Sequence, residues 1–182
     1  MTRTVLVAYA TKHGSTEEVA QAVAAALGER GLHVEVRRAD EVERVESYDA
    51  VVLGSALYMG RVHEGARTFL RRHRLALATL PVAIFGMGPK TMTDTDVASS
   101  LAQLERGLAK FPEVEPVSVA IFGGVVDPEK LHFPFNRMPA TDARDWGAIS
   151  AWAAELIPPL GGPSVAPASQ PGSTQVVART AC

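Results

Sequence analysis

Apolar positions along this chain gather into five short runs containing β-branched residues: Thr4–Tyr9, His33–Arg37, Ala50–Gly54, Pro81–Gly86 and Val117–Gly123. Between and after them the period lengthens to that of a helix, over Thr16–Arg30, His63–Leu77, Asp96–Lys110 and Ala143–Ile157. In the first helical segment Val19, Val23 and Leu27 recur at i, i+4 and i+8, which predicts one buried stripe. Ser15 with Glu18 predicts a capping box at its start, and Gly31 a stop. The runs Ala50–Gly54 and Pro81–Gly86 are almost continuously apolar, as parallel strands covered on both faces must be. Strands alternating with helices predict an α/β fold. Its doubly wound parallel sheet lies between two helical layers, with the ligand at the carboxyl ends of the strands. This places one domain in residues 1–160. From Gly161 onward Gly, Pro, Ser, Ala and Gln dominate without periodicity, so 161–182 is expected to be a disordered tail.

The segments that follow the strands carry the candidate chemistry. After the first comes Thr11-Lys12-His13-Gly14-Ser15-Thr16, where hydroxyls and a glycine meet the start of a helix. Free backbone N–H groups and the positive end of the helix dipole both favour an anion there, and a phosphate monoester is the natural occupant. After the third comes Gly54-Ser55-Ala56-Leu57-Tyr58-Met59-Gly60-Arg61, after the fourth Gly86-Met87-Gly88-Pro89-Lys90-Thr91, and after the fifth Gly123-Gly124-Val125-Val126-Asp127. Glycines permit close backbone approach, while Tyr58, Met59 and Met87 offer flat or soft surfaces. A phosphate cradle beside such loops suits a planar heteroaromatic ring joined to a phosphate.

The first of these segments, with Tyr9, Thr11, Gly14, Thr16, Ala20 and Val23, resembles the FMN-binding signature of the flavodoxin family. The resemblance runs from residue 2 to about 158. It implies a flavodoxin-like five-stranded parallel sheet of order 2-1-3-4-5, in three α/β/α layers, holding FMN noncovalently. By that pattern Thr11, Lys12, His13, Gly14, Ser15 and Thr16 would hold the phosphate. The ring would lie between Ser55, Ala56, Leu57, Tyr58, Met59 and Gly60 on one side and Met87, Gly88, Pro89 and Lys90 on the other, with Gly123 and Gly124 nearby. Gly54–His63, Met87–Lys90 and the stretch from Phe122-Gly123-Gly124 to Phe135-Asn136-Arg137-Met138 further resemble the flavodoxin-type protoporphyrinogen IX dehydrogenases, which pass electrons to a quinone. Those enzymes have a long insertion after the last of these segments. Here only Pro139-Ala140-Thr141-Asp142 separates Met138 from the last helical pattern.

Several side chains have two readings each. Tyr58 stacks on a flavin or covers the sheet edge. Met59 and Met87 touch the ring or fill gaps. Lys90 stabilises negative charge on a reduced flavin or is a solvated loop charge. His63 and His132 are candidate proton donors or ordinary surface residues. Phe133, Phe135 and Met138 fold back onto the core or form an apolar rim for a substrate, a quinone, a membrane surface or a second subunit. Arg67 with Arg71-Arg72-His73-Arg74 is a solvated helix face, or it docks an acidic partner or an anionic substrate.

Composition narrows the classes. With 47% hydrophobic and 21% charged residues in 182 and a net charge of −2, nothing argues for a nucleic-acid surface. The one cysteine, Cys182, rules out an internal disulfide and a Cys-based metal site. It is read as an incidental thiol, and a reducing cytoplasm is the expected compartment. No secretory signal or membrane-spanning run is expected, although peripheral membrane contact stays open. Gly-x-x-x-x-Gly-Lys-Ser/Thr, His-Glu-x-x-His and Gly-x-Ser-x-Gly are absent, and no complete Gly-x-Gly-x-x-Gly follows the first strand. The third strand ends in Gly54-Ser55, without the carboxylate a phosphoacceptor domain requires. The expected activity is an FMN-dependent oxidoreductase acting between a reduced substrate and a quinone or other acceptor. The alternatives are an electron-transfer protein that docks redox partner proteins and a cofactor-free interaction module.

Overall fold

The computed structural model describes residues 3–162 and 176–177. Five long strands form its sheet: β1 (Thr4–Ala10), β2 (His33–Arg38), β3 (Ala50–Tyr58), β4 (Val82–Met87) and β5 (Ser118–Phe122). They are parallel and ordered β2-β1-β3-β4-β5, as expected. Helices α1 (Ser15–Gly28), α2 (Glu64–Leu77), α3 (Asp94–Leu108) and α4 (Trp146–Glu155) cover the two faces.

The two-residue period of β1 splits the core in two. Val5, Val7 and Tyr9 face α1 and α4, where the predicted stripe Val19, Val23 and Leu27 packs. Leu6, Ala8 and Ala10 face the opposite layer, with Phe69 and Leu70 of α2 and Leu104 of α3. Trp152 of α4 is fully buried against Phe85 and Phe122, and its indole N–H donates to Ser118 Oγ at 2.9 Å. That bond satisfies both buried polar groups.

Three local expectations are corrected. The Ser15–Glu18 capping box does not form: Gly14, at φ 92°, is the cap position of α1, and no side chain caps it. Ser15 is already helical, and Glu18 pairs with Arg144 instead. Next, β3 runs on to Tyr58, past the predicted end at Gly54, because Ser55 and Ala56 still pair with Gly86 and Met87 of β4. Tyr58 then pairs antiparallel with Arg61 across Met59 (φ 47°) and Gly60 (φ 76°), the two positive φ angles of a type I′ hairpin. The segment read as a loop is a β-hairpin. Finally, α4 starts at Trp146 rather than Ala143, since Thr141–Asp142 pairs with Val125–Val126 and Ala143 N–H donates to Gly124 O at 3.1 Å.

The Gly31 stop forms as read, at φ 88°, with Leu32 N–H donating to Leu27 O. The expected tail over 161–182 lies mostly outside the described residues. Within it, Gly162 N–H donates to Ile157 O at 2.8 Å, and Val176–Val177 pairs in parallel with Val119 and Ala120 of β5.

Candidate functional site

The turn after β1 is shaped by its own side chains. Thr11 Oγ1 accepts the Gly14 N–H at 2.9 Å, which curls the chain into α1. Thr16, in the first turn of α1, is 0% exposed, and its Oγ1 has no hydrogen-bond partner among the described residues. His13 Nε2 is likewise buried and unpartnered there. Native structures rarely leave such groups unpaired without a functional reason. Thr16 Oγ1 can donate, and the first N–H groups of α1 beside it are donors of the kind an anion accepts from. His13 is held below the ordinary histidine range, first by burial and then by the neighbouring Lys12 and Lys130.

A cavity of about 430 Å³ opens next to this turn, at the carboxyl ends of the strands. Leu57, Tyr58, Met59 and Gly60 of the hairpin form one wall, and Gly88, Pro89 and Lys90 after β4 form another. His13 stands on the side of the turn, and Gly124 reaches the cavity from the segment after β5. Lys12 lies 4.4 Å above the centre of the Tyr58 ring and so ties the anion turn to the hairpin. Lys90 Nζ lies 3.7 Å from the Met138 sulfur across the mouth. Met59 is 79% exposed in a left-handed conformation that a non-glycine residue adopts only where the surrounding structure imposes it.

Other residues singled out in the sequence lie elsewhere. Met87 is buried in the core with Phe85 and Phe122 and is not among the residues that line the cavity. Ser55 is buried, donates to Ala56 O and accepts the His63 N–H at 3.2 Å, so its hydroxyl braces the hairpin. Ala56 pairs with Met87 inside the sheet. At Gly123 an added Cβ would stand 1.9 Å from the Ala143 carbonyl oxygen, so this glycine serves the packing of the following segment. His63 caps α2, its Nδ1 accepting the Gly65 N–H at 3.0 Å, and lies by Tyr9, Thr11 and Asp40 outside the cavity. Burial holds it below the ordinary histidine range. His132 is exposed beside the cavity-lining Leu131. Phe133 is 70% exposed with Arg137 over its ring, while Met138 turns inward to the cavity.

The far wall was not anticipated. Asp96, Ser99, Ser100 and Gln103 of α3 all line the cavity. Their spacing of three, four and seven residues is a polar stripe on one helical face, and that periodic signal was present in the sequence. Asp96 accepts hydrogen bonds from Thr91 and Thr93, which hold its carboxyl below the usual range.

Comparison with known proteins agrees with this fold. A family profile described as Flavodoxin domain matches residues 6–138, which include the turn, the hairpin and Lys90. The chain is 30% identical over 84 residues to protoporphyrinogen IX dehydrogenase (quinone) of Escherichia coli strain K12. That stretch is 45% of this chain and 46% of the relative, so the chain spans about half the length of the curated relatives it matches. Among solved structures, a single-site mutant of flavodoxin from Pseudomonas aeruginosa superposes with a TM-score of 0.57 at 19% identity, covering 87% of this chain and 99% of that one. Oxidised Flavodoxin 2 from Bacillus cereus gives 0.56 at 22% identity, covering 83% and 95%. Among the described residues no helix is long and apolar enough to cross a membrane. The profile match over most of the folded chain, on a sheet of this order, makes the chain a member of the flavodoxin domain family.

Proposed function

We propose that this protein is an FMN-dependent oxidoreductase, with the FMN phosphate taken by the Thr11–Thr16 turn and the ring by the adjoining cavity. The observation that carries this reading is the buried, unpartnered hydroxyl of Thr16 at the start of α1, next to a cavity walled by Tyr58 and the Gly88–Lys90 turn. Thr16 Oγ1 and the first N–H groups of α1 would donate to phosphate oxygens, and Lys12 would add a compensating charge. When bound, FMN supplies the redox chemistry. The chain's residues orient it and limit water: Leu57 and Tyr58 provide apolar contact, while Lys90 brings a cation to the cavity mouth.

The substrate class proposed is a reduced, porphyrinogen-like compound, with a quinone or another acceptor taking the electrons. Support comes from the Escherichia coli relative named for that reaction. The apolar Leu131 and Met138 at the cavity add to it. The exposed Met59 and Phe133 beside the site favour a second reading, an electron-transfer protein that docks a redox partner protein.

The visible spectrum of the purified chain, before and after adding FMN, tests the cofactor. A flavin spectrum with FMN released by acid supports it. A colourless protein with no affinity for FMN sinks it and leaves an interaction module. Anaerobic mixing of the FMN-loaded chain with protoporphyrinogen IX and menaquinone then separates the two redox readings. Turnover without any protein partner favours the enzyme, and reduction only through a reductase favours the shuttle.

A further inference from the structure

Away from the FMN site, a cavity of about 370 Å³ lies on α2 and the segment that follows α3. Its lining is Arg67, Arg71, Arg74, Lys110, Phe111 and Glu113. Four cations line it against one carboxylate, with Glu64 paired to Arg67 at its edge, in a chain whose net charge is −2. We propose that this groove is a binding site for a compact polyanion of the pyrophosphate or triphosphate class.

The arrangement carries a structural cost that its ion pairs offset only in part. Arg67 and Arg71 stand at i and i+4 on α2, and Arg71 and Arg74 at i and i+3, so like charges are neighbours on one helical face and destabilise the helix. Partners within the chain meet only part of this charge. Arg67 pairs with Glu64 at 2.8 Å, yet its Nε is buried with no hydrogen-bond partner among the described residues. Arg74 reaches Glu113 only at 3.9 Å. Among the described residues, the side chains of Arg71 and Lys110 make no ion pair or hydrogen bond. Guanidinium forks match phosphate oxygens in pairs, and three arginines line this groove. With Glu64 and Glu113 counted, the surplus is carried by Arg71 and Lys110. A linked diphosphate, with oxygens on two phosphorus centres, can reach both of them and a guanidinium fork at once, where a single phosphate offers fewer contacts. His73, central in the basic run of the sequence, is buried and contributes nothing to the groove.

Titration calorimetry of the full chain with inorganic pyrophosphate, with monophosphate and poly-glutamate as comparators, tests the site. The expected result is saturable pyrophosphate binding that is tighter than monophosphate and weakens with salt. It should weaken at least tenfold in Arg71→Gln/Lys110→Gln, with FMN affinity unchanged. Amide shifts caused by pyrophosphate in the wild-type chain should cluster at residues 66–74 and 109–113, a readout independent of the variant. No binding, binding unchanged in the double variant, or shifts confined to residues 11–16 would overturn the proposal. So would poly-glutamate binding more tightly than pyrophosphate, which would make the surface a docking face for an acidic partner.

Discussion

The ammonium of Lys12 stands 4.4 Å above the centre of the Tyr58 ring, so the turn after β1 and the hairpin after β3 are held together across the mouth of the site. A cation over a partly exposed ring contributes about 0.5–1 kcal/mol. Replacing Tyr58 by Leu should therefore cost little stability in a denaturant titration. The same change removes the aromatic wall of the cavity, so FMN affinity, read by flavin fluorescence, should fall by more than the stability loss accounts for. Equal losses in both measurements would mean that Tyr58 only braces the turn.

Thr16→Val separates folding from binding. The buried Thr16 hydroxyl has no partner among the described residues, and a group of this kind left unsatisfied costs about 1–3 kcal/mol. Valine has nearly the same shape, so the ligand-free Tm should rise. FMN should bind at least tenfold more weakly, since a hydrogen bond to a charged phosphate contributes about 1.5–3 kcal/mol. Full flavin affinity in the variant would remove Thr16 from the phosphate site.

Gly123→Ala probes the packing beneath Ala143. The added methyl would sit 1.9 Å from a backbone carbonyl oxygen, so the segment that carries Thr141–Asp142 must shift. Overpacking of this kind costs about 1–3 kcal/mol, and the Tm should drop accordingly. A wild-type Tm would show that this segment is free to move aside.

His73 sets a pH dependence of stability. It is buried, its Nε2 lies 3.2 Å from Val42 O, and its pKa is lowered from 6.5, mainly by burial. Between the lowered value and 6.5 the unfolded chain binds more protons than the folded one, so stability falls as pH drops through that window. His13 and His63 shift in the same direction. In urea titrations from pH 7 to pH 5, His73→Gln should lose less stability than the wild type. Parallel pH profiles for the two proteins would rule out His73 as a source of the acid sensitivity.

Much of this protein was determined by local sequence. The stripe Val19, Val23 and Leu27, the stop at Gly31 and the continuous apolar runs of β3 and β4 specify their elements through periodicity and backbone preference, which act within a few residues. The hydroxyl-rich turn before α1 was legible for the same reason, because its chemistry lies in consecutive residues. Tertiary structure decided what depends on partners distant in the chain. Small residues at Gly54-Ser55-Ala56 read as a loop, but β4 alongside them extends the strand and creates the hairpin that presents Tyr58. Glu18 reads as half of a capping box until Arg144 reaches it from 126 residues away. Met87 and Lys90 stand three residues apart, yet the sheet sends the first into the core and leaves the second at the cavity mouth. Neighbouring sequence carries no information about which face the rest of the chain will cover; only the packed sheet and helices supply it.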